Sequence, residues 1–186
     1  MTQRKAFLTK EQSLMLRGIA IFLVLISHYA VWIGEIFHSD LLEYGLGRFG
    51  VYGVDLFFAV SGYGLVKSVG KKRINGTFLW KRFKTVYLPY LLIVGLIAVY
   101  DGGISGMTGW VSFLTGAEYW YIRNILIFYL AFYVVYRLSD RSWVRMLLMA
   151  LCLTAYSGLL IWQGRALFWY ISNVTFLFGM LLAQYE

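Results

Sequence analysis

The stretch that decides the fold runs from Leu14 to Ile33 and reads LMLRGIAIFLVLISHYAVWI. Its basic side chains are Arg17 and His28, and almost all the others are apolar. A helix that crosses a bilayer needs about 20 predominantly apolar residues, whereas the apolar core of a secretory signal has only about 7–15. We therefore predict that this stretch is a retained first membrane span.

Apolar stretches of similar length recur along the rest of the chain. Hydrophobic residues make up 60% of the sequence and charged residues 14%, against roughly 45–50% and about 25% in an average soluble domain. The sequence predicts an all-α, polytopic transmembrane helical bundle of about six spans, in a single domain over residues 1–186. The predicted spans lie near residues 14–33, 49–66, 79–100, 119–138, 144–162 and 167–183.

The basic residues are concentrated in short segments between the predicted spans. The net charge is +8, which in a soluble protein would raise nucleic acid as a partner. If the N-terminus lies in the cytoplasm, only Arg48, Arg123 and Arg165 of the 17 Lys and Arg residues fall outside. The cytoplasmic loops of membrane proteins carry an excess of Lys and Arg. The charge therefore indicates membrane orientation rather than a nucleic-acid partner, and both termini are predicted to be cytoplasmic.

Neither a disulfide nor a metal site is predicted. Cys152 is the only cysteine, which excludes an internal disulfide and a cysteine-based metal cluster. His28 and His38 are the only two histidines, and no ligand spacing joins them.

Placing a polar side chain inside a membrane span costs free energy, so each such residue suggests a functional hypothesis. Arg17 and His28 are 11 positions apart and point to nearly the same helix face. The structural alternative is an arginine that reaches the headgroups and a histidine bonded to a neighbouring helix. Asp55, in the second predicted span, should have a partner such as Arg17, His28 or Arg123. Its structural alternative is an ion pair that locks two helices.

A basic segment runs from Lys67 to Lys84, includes the run Lys71-Lys-Arg and ends shortly before Pro89. Most of these residues are explained by topology and by attraction to anionic lipid. Arg82 and Lys84 are the best placed to bind the phosphates of a soluble donor such as coenzyme A, because arginine suits bidentate phosphate recognition. Arg123 follows the aromatic residues Trp120 and Tyr121, and it either lines the same cavity as His28 or reaches the interface.

Together these stretches resemble the acyltransferase-3 family, which consists of bacterial membrane O-acyltransferases that modify surface glycans. Arg17 is separated by ten residues from His28, as in the family's first span. The other matching stretches are Gly53-Val-Asp-Leu-Phe-Phe-Ala-Val-Ser-Gly62, Phe78-x-x-Lys-Arg82 leading to Pro89, the segment from Trp120 to Tyr129, and Asn173-Val-Thr-Phe-Leu-Phe-Gly-Met-Leu-Leu182.

The resemblance implies a multi-pass enzyme of the bacterial cytoplasmic membrane. It would move an acyl group, acetyl by family default, from cytoplasmic acyl-CoA to a hydroxyl of an extracytoplasmic carbohydrate. The implied catalytic residues are His28, Arg17, Asp55 and Arg123, with His28 acting either as a general base or as a transient carrier of the acyl group. The implied residues for the coenzyme A phosphates are Arg17, Arg82 and Lys84.

The chain departs from the family in three respects. Many members carry a carboxylate pair where this chain has Ile125 and Leu126. A second Arg is common after Arg82, where this chain has Lys84 and Thr85 instead, and family members usually have more than six spans. The resemblance therefore implies a chain that is incomplete at the C-terminus or that assembles with itself. The competing hypotheses are a transporter or flippase subunit with a polar intramembrane path, and an inactive family fragment.

Overall fold

The computed structural model describes residues 7–70 and 74–186, and every regular element within them is helical. The basic run Lys71-Lys-Arg lies outside these residues. The helices are α1 (Lys10–Phe37), α2 (Phe49–Val69), α3 (Thr77–Arg82), α4 (Leu88–Tyr100), α5 (Gly106–Thr115), α6 (Trp120–Leu138), α7 (Ser142–Trp162) and α8 (Asn173–Tyr185). Short π-helical or 3₁₀ turns precede α2, α4 and α8, at Leu41–Gly45, Leu46–Arg48, Phe83–Tyr87 and Leu167–Trp169.

Six helical segments in the described residues are long and apolar enough to cross a membrane. This finding confirms the predicted all-α, polytopic architecture and the predicted number of spans. Most of the segments extend beyond the predicted bounds, because the helices continue into the polar residues at their ends. They are Lys10–Phe37, Leu41–Val69, Thr77–Tyr100, Trp120–Leu138, Ser142–Trp162 and Leu167–Tyr185.

The chain divides into two compact units. The first comprises Met1–Lys71 and Leu153–Glu186, and the second comprises Lys72–Cys152.

In the first unit, α1 and α2 form an antiparallel hairpin built on small residues. Thr9 and Gln12 cap the start of α1 reciprocally. Further along, Gly53 of α2 lies against the backbone carbonyl of Ala20, and Gly50 lies against Ser27. A side chain at either glycine would collide with α1. Small residues allow this close approach of helices in a membrane.

A hydrogen bond fastens the turn of this hairpin. The hydroxyl of Ser27, a buried residue, donates to the carbonyl of Gly47 over 2.5 Å. His38 ends α1 in the left-handed region, with φ of 51°. This conformation turns the chain out of the helix and back towards α2.

Helices α2 and α8 are packed so closely that their backbones touch. The space that a Cβ atom would take at Gly62 is filled by the backbone of Phe176. The corresponding space at Gly179 is filled by the backbone of Ala59. Each helix therefore supplies one glycine that admits the carbonyl of the other, and a methyl group at either position would force the helices apart.

A polar cluster beyond this contact shows that α2 and α8 are parallel. Tyr63 and Lys67 lie towards the end of α2, and both contact the carboxylate of Glu186, which follows α8. The same carboxylate accepts a hydrogen bond of 2.7 Å from the backbone N–H of Phe7. Because the ends of the two helices meet, they run in the same direction.

In the second unit, Pro89 determines the shape of the third span. Proline has no backbone N–H and its ring clashes with the carbonyl four residues earlier, so it disrupts a continuing helix. The turn before it, Phe83–Tyr87, is π-helical. The hydroxyl of Thr85 also bonds back to the carbonyl of Lys81 over 2.9 Å, an interaction that bends helices. The segment is therefore wider than a regular α-helix just before α4.

Glycines at this density predict a loop throughout residues 101–109, but the loop ends at Ser105. Helix α5 begins at Gly106 and continues through residues 110–114 to Thr115. Packing against α4 explains the difference. The hydroxyl of Tyr90 donates to the carbonyl of Phe113 over 2.6 Å, and the hydroxyl of Tyr87 donates to the carbonyl of Leu114 over 2.6 Å.

Candidate functional site

Arg17 lies in the N-terminal part of α1, in the first unit, and is half-buried. Its Nη2 atom lies 3.6 Å from the position that a Cβ atom would take at Gly64 of α2. The guanidinium forms no hydrogen bond or ion pair with the residues that the structure describes. Its five donor N–H groups are therefore available to a ligand or to lipid.

His28 follows the buried Ser27 on α1, close to the point where Ser27 bonds to Gly47 in the hairpin turn. The side chain of His28 is exposed. Its Nδ1 atom lies 3.0 Å from the carbonyl oxygen of Val24. A carbonyl oxygen only accepts hydrogen bonds, so Nδ1 carries the proton. In the neutral ring, Nε2 is then the unprotonated nitrogen and is directed away from the helix backbone.

Asp55 lies on α2 between the levels of Arg17 and His28. Asp55 lies between Gly50 and Gly64 in the sequence. Gly50 packs against Ser27, the residue before His28, and Gly64 lies beside Arg17. Asp55 is half-buried and forms an ion pair with neither Arg17 nor His28. The structure thus gathers these three residues on one hairpin without joining them directly.

Arg82 lies in the second unit between two aromatic rings. Its guanidinium carbon is 5.3 Å from the ring centroid of Phe78 and 5.4 Å from that of Tyr129, which are cation–π distances. Its Nε atom is buried and has no hydrogen-bond acceptor among the described residues. A buried N–H without an acceptor is costly, so this site favours a ligand that brings one.

Lys84 is exposed in the same span, and its ammonium nitrogen lies 4.9 Å from the ring centroid of Trp80. Arg123 is half-buried in the first turn of α6, beside the fully buried Asn124. Helix α6 begins at Trp120.

A cavity of about 310 Å³ adjoins Arg82. Its walls are Leu79, Arg82, Phe83, Tyr87, Leu126 and Tyr129. Apart from the guanidinium and two phenol rings, this lining is apolar. The sequence singled out Arg82 but gave no sign of the cavity. The four-residue spacing of Phe78 and Arg82 did predict that these two side chains meet.

Among the described residues, no three His, Cys, Asp or Glu side chains come close enough to share a metal ion.

Comparison with known proteins identifies the family. The model of the acyltransferase-3 family, described as an acyltransferase domain, matches residues 15–186. A Rhizobium radiobacter protein described as "Protein 2 in picA locus" is 34% identical over 90 residues, which cover 46% of this chain and 42% of that protein. The match thus spans about two fifths of the curated relative. No solved structure matches the chain.

The match to the family model extends over nearly the whole chain and includes both the hairpin that holds Arg17, His28 and Asp55 and the span that holds Arg82. The chain therefore belongs to the acyltransferase-3 family of membrane acyltransferases.

Proposed function

We propose that the protein is an O-acyltransferase of the bacterial cytoplasmic membrane. It takes an acyl group from cytoplasmic acyl-CoA and transfers it to a hydroxyl of an extracytoplasmic glycan. Family membership supports acyl transfer. The observation that carries the mechanism is the Nδ1 hydrogen bond of His28, because it leaves Nε2 as a base within a membrane span.

In this mechanism His28 acts as a general base. Nε2 accepts the proton of the acceptor hydroxyl while the hydroxyl oxygen attacks the carbonyl carbon of the thioester. The carbon–sulfur bond then breaks, the ester remains on the acceptor, and the coenzyme A thiolate leaves and is protonated. The Nδ1 bond to Val24 holds the ring in the tautomer that this step requires.

The positive side chains have separate tasks. Arg17, which has no protein partner in the described residues, binds the donor at the cytoplasmic end of α1. Lys84 binds the coenzyme A phosphates. Arg82, whose Nε–H has no acceptor among the described residues, binds the acyl-bearing end of the donor. Arg123 stabilises the oxyanion of the tetrahedral intermediate. Asp55, at a level between Arg17 and His28, orients these two groups electrostatically.

The proposed orientation has both termini in the cytoplasm, because nearly all Lys and Arg then lie on the inner side. The directions of the helices agree with alternate crossing. Helices α1 and α2 are antiparallel, as consecutive spans must be. Helices α2 and α8, which belong to the second and sixth spans, are parallel.

The two histidines provide a matched test. His28→Asn retains a side-chain amide near the position of Nδ1, which can still donate to Val24, but it removes Nε2. His38→Asn is the control, since asparagine tolerates the left-handed conformation of His38. Membranes from expressing cells are incubated with radiolabelled acetyl-CoA, and label in the glycan fraction is measured.

We expect His28→Asn to lower the transfer rate by about 10²–10⁴-fold, the usual contribution of a general base, and His38→Asn to be as active as the unmodified protein. Equal activity of the two variants would disprove the role of His28. Movement of a glycan across the membrane without any acyl donor would support a transporter instead.

A further inference from the structure

Two features of the cavity beside Arg82 indicate which kind of ligand it would bind. Its lining is almost entirely apolar, and the buried Nε–H of Arg82 in its wall has no acceptor among the described residues. A ligand that satisfies both features has an apolar tail and a polar head that accepts hydrogen bonds. An acyl thioester has this form, since its hydrocarbon chain ends in a carbonyl and continues into a phosphate-bearing carrier.

The cavity exists because of the local sequence. Pro89 forces the preceding turn, Phe83–Tyr87, into a π-helix, which widens the helix just where it faces Leu126 of α6. The hydrogen bond from Tyr87 to the carbonyl of Leu114 holds one wall in place. Single π-helical turns of this kind occur frequently at functional sites.

The size of the cavity argues for a chain longer than acetyl. A water molecule occupies about 30 Å³ of liquid, so a cavity of about 310 Å³ accommodates about ten groups of that size. The methyl and carbonyl groups of an acetyl ester would leave most of it empty. A chain of several methylenes would occupy more of this volume and cover more of its apolar lining.

We propose that this cavity is the acyl-chain pocket of the enzyme, that it accepts medium-length acyl groups, and that Leu126 sets the length that fits. The inference rests on the proposed function, since it assumes an acyl-CoA donor. Leu126 lines the cavity from α6, opposite the widened turn, so the volume of its side chain limits how far a chain can enter.

The test measures binding, because it then needs no acceptor. The full chain is reconstituted in phosphatidylcholine nanodiscs and titrated with acetyl-, butyryl-, hexanoyl- and octanoyl-CoA. Burial of one methylene contributes about 0.8 kcal/mol, which corresponds to about a four-fold change in Kd. We therefore expect affinity to rise by about four-fold per added methylene until the pocket is full.

Three variants test whether Leu126 sets the chain length that the pocket accepts. Leu126→Trp fills the pocket and should remove the dependence of affinity on chain length. Leu126→Ala enlarges the pocket and should move the plateau to longer chains, which tests the proposal even if the tryptophan variant does not fold. Leu138→Trp is the matched control, because Leu138 is 71% exposed and lies about three turns beyond Leu126 on the same helix, and it should behave like the unmodified protein.

The outcomes separate this inference from the proposed function. Equal affinity for all chain lengths would overturn the pocket while the proposed acyl transfer stands. A rise with chain length that Leu126→Trp and Leu126→Ala leave unchanged would indicate partition into the nanodisc lipid, and it would also overturn the pocket. Failure of every acyl-CoA to bind would overturn both the pocket and the proposed donor.

Discussion

The backbone contact between α2 and α8 predicts a large difference between two glycine substitutions that look alike in the sequence. Gly179→Ala places a methyl group against the backbone of Ala59, which no side-chain rotation can relieve. Gly158→Ala is the control, because nothing lies within 4 Å of the added methyl on α7. Both substitutions replace a helical glycine by alanine, which by itself favours the helix by roughly 0.5–1 kcal/mol.

The difference between the variants isolates the cost of overpacking, since the helix propensity cancels. Inserting a methyl group into a well-packed contact costs about 1–3 kcal/mol. Because the obstacle is backbone, we expect the upper half of that range. The free energy of unfolding is measured in mixed micelles of a mild detergent and dodecyl sulfate, by tryptophan fluorescence. If the two variants unfold within about 0.5 kcal/mol of each other, the close packing of α2 on α8 is refuted.

Two further predictions concern single polar contacts. Tyr90→Phe removes the hydrogen bond to the carbonyl of Phe113 and should lower the free energy of unfolding by about 0.5–1.5 kcal/mol. Tyr100→Phe is the control, because Tyr100 is highly exposed, and it should have no effect. Equal effects of the two substitutions would contradict the Tyr90 hydrogen bond. The pKa of Glu186 is lowered, because partial burial, which raises it, is outweighed by hydrogen bonds from Lys67 and other donors. Its stabilising contribution is therefore complete above the ordinary carboxyl pKa of about 4 and is lost as pH falls through the lower folded value. Unfolding at pH 7 and pH 3 should show a larger loss for the unmodified protein than for Glu186→Gln, and equal losses would refute this reasoning.

The first span and its two polar residues were predictable from the sequence because their signals are local. A long apolar run must be helical in a bilayer, where every backbone group has to be satisfied within its own segment. The spacing of Arg17 and His28 then follows from helix geometry alone. The same reasoning predicted the six spans and the resemblance to the acyltransferase-3 family, which the family match confirms.

The assignment of partners was not predictable in the same way. Asp55 was expected to pair with one of several cations, but it forms an ion pair with neither Arg17 nor His28. A sequence places a side chain on a face of its own helix, whereas the approach of a second helix depends on packing at other positions. Here it depends on Gly50 and Gly53, which set the register of α1 against α2.

By itself, the sequence determined that the protein is a helical membrane protein with about six spans and a histidine and an arginine on one helix face. Apolar run length and helical periodicity are properties of contiguous residues, so no tertiary contact is needed to read them. The tertiary structure alone decided how α8 runs against α2 and where the Arg82 cavity opens. These features arise from atoms that are distant in sequence or from a local distortion such as the π-helical turn before Pro89. They become visible only when the helices are packed.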